Sequence, residues 1–221
     1  MLASNFRGKS KLLNSHRSWD AGAFHAARSI SKSLQAPLIH GNLSRLVIDL
    51  NRSLHHPCLF SEITKKTPLE VRETLIRRIH NPFRLKTRSL IERYLSDGHP
   101  VHHFSIHSFT PTLNGVVRTC EIGLLYDPKR LQEQQLAIRL KHELLLVFPN
   151  ARVRMNYPYN GTSDGHTKQL RSLFSSKAYA GIEIELNQAW LKSLKKINGK
   201  LPEAYRLIAN ALSCSILMQT L

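Results

Sequence analysis

Cysteine is scarce in this chain: Cys58, Cys120 and Cys214 are the only three in 221 residues, and no two of them form a CxxC pair. An odd, scattered set excludes a disulfide-stapled scaffold and a cysteine-rich zinc module. It suits a reducing, cytoplasmic compartment. Long apolar runs are missing as well. No stretch approaches the roughly 20 residues that a membrane-crossing helix needs, so a membrane partner is not expected. Internal repeats, low-complexity tracts and linker composition are also absent. The whole of 1–221 therefore reads as one domain of ordinary size. Acidic residues are few, with 15 Asp and Glu against 32 Lys and Arg, a formal net charge of +17 and a pI near 10.3.

A balance this basic invites a nucleic-acid reading. The charge is spread, however. Residues 1–100 hold 17 Lys and Arg against 7 Asp and Glu, and the rest hold 15 against 8. The densest clusters, such as Arg77-Arg78 and Lys195-Lys196, are only pairs. Interleaved charge of this kind is ordinarily a solvated surface. It equally suits a small anionic substrate, which a positive field steers toward a site. Nucleic acid is accordingly ranked behind an anionic small molecule as partner, and the oligomeric state is left open.

Hydrophobic periodicity gives the elements. Residues 20–35 place Ala23, Ala27, Ile30 and Leu34 on one helical stripe, with Asp20 as cap and Pro37 beyond the end. The run LVIDL at 46–50 predicts a short buried strand. Residues 68–97 read as helix broken at Pro82 and ended by Gly98. Strands follow at 101–107, 121–128 and 151–155, a helix at 129–146, a polar loop at 156–167, a strand at 180–188 and a helix at 202–219. Strands alternating with helices imply an α/β fold, a mostly parallel or mixed sheet covered on both faces.

The strand at 180–188 is unusual. Glu183 and Glu185 stand two apart and share a face, with Ile182, Ile184 and Leu186 on the other. A central strand is normally apolar on both faces, so buried carboxylates there need a metal, a cation or a catalytic task; a salt-bridged edge strand is the plainer alternative. In FSIHSFTP at 104–111, alternation ends on His107 just before Pro111. That puts His107 at the C-terminal lip of a strand, where open α/β sheets bind ligands. Asn51 and Arg52 close the 46–50 run, and Arg118 precedes 121–128. A guanidinium takes a carboxylate in two parallel bonds. Together these are the parts of a metal hydrolase: an imidazole ligand, a base for water and a cation for an anionic substrate.

The stretches HRSWDAGA (16–23), SRLVIDLNRS (44–53), HPCLFSEIT (56–64), HSFTPTLNGVVR (107–118), EIGLLYDP (121–128), NYPYNGTSDGHT (156–167) and YAGIEIELNQ (179–188) resemble the N-formylglutamate amidohydrolase family. They fall in the family's order and cover nearly the whole chain. The family resembles zinc carboxypeptidases and aspartoacylase. The resemblance therefore implies a zinc-carboxypeptidase-like fold, one zinc (or other divalent) ion, and cleavage of N-formyl-L-glutamate or a related N-acyl amino acid to formate and the amino acid, a step of histidine degradation. It implies His107, in its HS pair, as a metal ligand, with His16 as a second ligand or a substrate contact. It implies Glu185 as the base, with Glu183 the runner-up. It implies Asn51, Arg52 and Arg118 as holders of substrate carboxylates, and Asp164 as an orienting group.

One departure bears on that reading. Family members usually carry an HGGN-like segment on a strand ahead of the HRSWDAGA match, and here only 15 residues precede His16. The first 19 residues are free of acid and rich in Ser, Arg and Lys, as an organellar presequence would be, but the family match starts within them. The expectation is an N-terminally truncated domain with an incomplete metal site. The alternative function is an inactive homologue that binds anions or nucleic acid.

Overall fold

The computed structural model describes residues 2–198 and 201–217. Two helical turns, α1 (Leu2–Asn5) and α2 (Ser10–Leu13), lead into α3 (Ala23–Leu34). After an irregular stretch come α4 (Leu69–Leu75), a π turn (Ile76–His80) and α5 (Asn81–Ser96). The remaining order is β1 (Val101–Phe109), the small hairpin β2 (Thr112–Leu113) and β3 (Val116–Val117), β4 (Ile122–Leu125), α6 (Leu131–Val147), β5 (Val153–Met155), α7 (His166–Leu173), β6 (Tyr179–Asn187), α8 (Gln188–Asn198) and α9 (Leu201–Leu217).

Four strands form one mixed sheet in the order β1-β6-β4-β5. β1 and β6 are parallel, β6 and β4 antiparallel, and β4 and β5 parallel. The period-2 pattern of β6 divides the two faces. Ile182, Ile184 and Leu186 are almost fully buried with Ile122 and Leu124 of β4, Leu136, Leu140 and Leu144 of α6, and Ile208 and Leu212 of α9. Each such side chain contributes roughly 1.5–3 kcal/mol by leaving water. The opposite face carries Glu183 and Glu185 and is covered in part by α7, which packs on β6, and α5, which packs on β1.

Three expectations need correction. Residues 46–50 form turns, not a strand. Leu46 and Ile48 are buried, but Asp49 N–H donates to the Leu59 carbonyl at 2.8 Å, and the hydroxyls of Ser61 and Thr64 donate to the Leu46 carbonyl at 2.6 and 3.2 Å. Side chains satisfy the backbone there, so no ladder is required. Pro82 does not break its helix. The interruption falls earlier, in the π turn, and Pro82 sits in the first turn of α5, where a missing N–H costs nothing. Asp20 does not cap α3; the cap position is Gly22 in a left-handed conformation, and Asp20 is used elsewhere.

A buried ion pair fixes the loop between β5 and α7 to the sheet. Glu133 of α6 is wholly buried and accepts from Arg171 Nε at 2.9 Å and from the Gly181 N–H at 3.0 Å. Arg171 also donates to the carbonyls of Gly161 and Gly181 at 2.5 and 2.7 Å. Every strong charge at this point has a partner, as a buried charge requires.

Candidate active site

The register of β1 against β6 pairs His107 with Glu185 and Ser105 with Glu183. Neighbouring strands send paired side chains to one face, so His103, Ser105, His107, Glu183 and Glu185 share a surface at the C-terminal end of the sheet. Two glycines let neighbouring groups pack closely against that surface. A β-carbon on Gly181 would fall 2.5 Å from the Tyr179 hydroxyl, which bonds His103 Nδ1 at 2.7 Å. A β-carbon on Gly123, paired with Glu185, would fall 2.0 Å from the Tyr157 carbonyl.

His107 is held at both ring nitrogens. Its Nδ1–H donates to Asp20 Oδ2 at 2.8 Å, and Nε2 lies 3.0 Å from Ser105 Oγ. Asp20 Oδ1 accepts from Arg45 at 2.7 Å. Burial works against the charged imidazole. The bond to Asp20 and the charges of Asp20, Glu185 and Glu183 outweigh it, and the His107 pKa is pushed up to about 9. For Asp20 burial is likewise overcome, by His107 and Arg45, and its pKa is held below the usual carboxylate value. Burial dominates at Glu185. It pushes the carboxyl up to about 7, only partly countered by His107. Glu185 Oε2 is buried with no hydrogen-bond partner. The result is an imidazolium beside a carboxyl poised near neutrality, the pairing from which general-base chemistry is built.

Asp20, Arg45 and His107 lie at one end of a cavity of about 600 Å3 that runs along β1 between α3 and α5. The sequence-predicted residues divide around it. Asn51 lies on the wall, but its Oδ1 accepts from the His166 N–H at 2.8 Å and so caps α7. Arg52 donates to the Asp164 carbonyl at 2.9 Å, and Asp164 Oδ2 accepts from the Ser53 N–H at 3.0 Å; these residues tie one loop to another. Arg118 is buried, donates to the Tyr159 hydroxyl at 2.9 Å and lies over the rings of Phe109 and Tyr159. His16 is exposed and off the cavity wall. Glu183 and Glu185 are not on that wall either; they lie on the strand next to it.

Two members of this constellation escaped sequence reasoning. Arg45 stands inside the SRLVIDLNRS stretch, where the local pattern marks only Asn51 and Arg52; its value comes from reaching Asp20 across 25 residues. His166 looked like loop. It begins α7, its Nε2 is buried without a partner on the cavity wall, and burial together with Arg84 pushes it down to about 3, so it is neutral.

Comparison with known proteins agrees with this architecture. A profile described as N-formylglutamate amidohydrolase matches residues 2–191. The chain belongs to the N-formylglutamate amidohydrolase family. Among solved structures, the gene product Atu2144 from Agrobacterium tumefaciens is similar at a TM-score of 0.80 and 25% identity, covering 96% of this chain and 83% of that one. The N-formylglutamate amidohydrolase from Ralstonia eutropha JMP134 shares the fold at a TM-score of 0.62 and 15% identity, covering 90% of this chain and 82% of that one. No protein of curated function matches.

For this family member, the described residues do not fit a zinc ion. A catalytic zinc takes three protein ligands. Among the described residues no three His, Cys, Asp or Glu side chains stand together so as to hold a metal. His107 has both nitrogens engaged, and a protonated ring has no lone pair to give.

Proposed function

We propose that the chain is an amidohydrolase that cleaves N-formyl-L-glutamate or a related N-acyl amino acid. The observation that carries this reading is the in-register placement of Glu185 beside the Asp20-bound His107 at the C-terminal lip of the sheet. Glu185 takes a proton from water as the water oxygen attacks the acyl carbon. The imidazolium of His107 stabilises the negative charge that develops on the acyl oxygen. The carbon–nitrogen bond then breaks, the proton passes from Glu185 to the leaving amine, and the carboxylic acid and the free amino acid result. Arg45 and Arg118, which flank this end, hold the substrate carboxylates. The cytoplasm suits the chain: Cys58, Cys120 and Cys214 are all free, and among the described residues no helix is long and apolar enough to cross a membrane.

The test is release of glutamate from N-formylglutamate by the purified chain, alongside calorimetric binding of the same compound. Turnover that Glu185→Gln lowers by about 100-fold or more, with binding retained, is the expected result. Turnover indifferent to Glu185 would end the proposal. The described residues lack a three-donor metal set, and that favours one second reading, an anion-binding homologue without turnover. Binding with no glutamate release selects it.

A further inference from the structure

We propose, on the amidohydrolase reading of this site, that Ser108 and Gln188 are positioning residues: they hold the turn that carries Asp20, and through Asp20 they set the orientation of the His107 ring. Successive strand residues alternate between the two faces of a sheet. Ser108, paired with Leu186, therefore projects from the apolar face, while His107, paired with Glu185, projects from the polar one. Ser108 is buried there, so its hydroxyl needs partners.

Asp20 opens a tight turn. The Ala23 N–H donates to the Asp20 carbonyl at 3.1 Å, Ala21 keeps a negative φ, and Gly22 stands at φ 89° and ψ −19°. That combination is a type II turn, whose third residue must accept the left-handed region, as glycine does. Type II differs from type I by a flip of the central peptide, here the one between Ala21 and Gly22. The direction of the Ala21 carbonyl therefore decides how the turn is set. The Ser108 hydroxyl donates to that carbonyl at 2.8 Å.

Gln188 fixes the direction of that bond. A hydroxyl can rotate to donate or to accept, but an amide NH2 only donates and a carbonyl only accepts. Gln188 Nε2 donates to Ser108 Oγ at 3.1 Å, which leaves the hydroxyl proton for Ala21. Gln188 is itself anchored. Asn187 before it donates to the Cys120 carbonyl at 2.8 Å and accepts from the Ala189 N–H at 2.9 Å. A line of donors thus runs from the end of β6, through β1, to the turn.

The turn straddles the end of β1. On one face Ser108 holds Ala21. On the other, Asp20 Oδ2 accepts from His107 Nδ1–H at 2.8 Å, and Oδ1 accepts from Arg45 at 2.7 Å. The partner of one imidazole nitrogen sets the tautomer and the ring's direction. The Ser108 main chain adds a bond to the same carboxylate, so the hydroxyl governs the setting of the turn rather than the charge of Asp20.

The experiment uses the 221-residue chain carrying isotope-labelled histidine. The His107 Nδ1–H, bonded to a carboxylate, gives a proton resonance far downfield, identified by its loss in His107→Gln. Ser108→Ala should abolish this resonance or speed its exchange with water by about tenfold or more, and should lower kcat for N-formylglutamate by about the same factor, the worth of one hydrogen bond. Ser108→Thr keeps the hydroxyl on a strand that suits a β-branched residue, and should restore both. Gln188→Leu, at a half-buried position, should act in the same direction as Ser108→Ala. If Ser108→Ala fails to fold, Gln188→Leu decides on the same resonance. The resonance is read without substrate, so a chain that shows it but does not release glutamate ends the amidohydrolase reading and still tests the positioning. A parent chain without the resonance, an unchanged resonance in either variant, or a Ser108→Thr chain that fails to restore it each overturns the proposal.

Discussion

His107 and Asp20, 87 residues apart in the chain, are joined by a bond of 2.8 Å from the imidazole Nδ1–H to a carboxylate oxygen. This bond should shape stability against pH. The folded-state pKa of His107, about 9, lies above its ordinary 6.5, so its contribution is complete below pH 6.5 and is lost as pH rises through 9. Glu185 acts in the same direction. Its folded value of about 7 exceeds 4.5, and that contribution fades as pH rises through 7. Asp20, held low, acts oppositely and loses its contribution only in acid. Urea midpoints measured from pH 5 to 10 should therefore fall with rising pH. Asp20→Asn should remove most of the arm above pH 7. A midpoint that rises over this range would exclude the ion pair.

The same two groups predict a bell-shaped rate profile. Glu185 must be ionised to act as base and His107 protonated to act as a cation. The value of kcat/KM for N-formylglutamate should climb through about pH 7 and decline through about pH 9. Rates that decline from pH 6 upward would show that the roles are misassigned.

Arg118 offers a separate test. Among the described residues its guanidinium donates to Tyr159 and lies over two rings, and no carboxylate is bonded to it. If it receives a substrate carboxylate, Arg118→Met should raise KM by about 10- to 100-fold, the worth of a charged hydrogen bond, and change kcat little. A kcat effect with KM unchanged would point to a purely structural role.

Added zinc should do little. A ligand that binds the folded state stabilises it by RT ln(1 + [L]/Kd). Because both nitrogens of His107 are engaged, we expect the urea midpoint at pH 7 to be unchanged by about 100-fold molar zinc over protein. A clear upward shift that vanishes in His107→Ala would reveal a metal site that these residues build only on binding.

Breaking the Glu133–Arg171 pair should be costly. Glu133 is fully buried and Arg171 nearly so, and removing one partner strands the other's charge. Arg171→Met should destabilise the chain by about 3–5 kcal/mol, read from urea denaturation.

Much of the fold was legible because its pattern is local. The alternation of Phe104, Ser105, Ile106 and His107 marked β1, and the two-residue spacing of Glu183 and Glu185 marked β6 with its polar face. The 46–50 run deceived because burial of Leu46 and Ile48 resembles strand burial, while the hydrogen bonds that replace a ladder come from Ser61 and Thr64, out of local view. Asp20 was misread for a related reason. A carboxylate ahead of a helix is an ordinary cap, and only the tertiary fold brings it to His107. The pairing of His107 with Glu185 is a matter of register between strands over 70 residues apart, which periodicity does not encode.

Arg171 carries a further consequence. The segment from Asn156 to Gly165 has the composition of a soft surface loop, yet Arg171 grips Gly161, Asn51 caps the helix that follows it, and Asn156 and Gly161 are bonded to each other. A protease needs several residues of pliable chain to thread its cleft. Here that slack exists only when α7 and β6 let go as well. Nicking at this loop should therefore keep time with opening of the entire molecule, and the loop's cleavage rate becomes a clock for unfolding of the sheet.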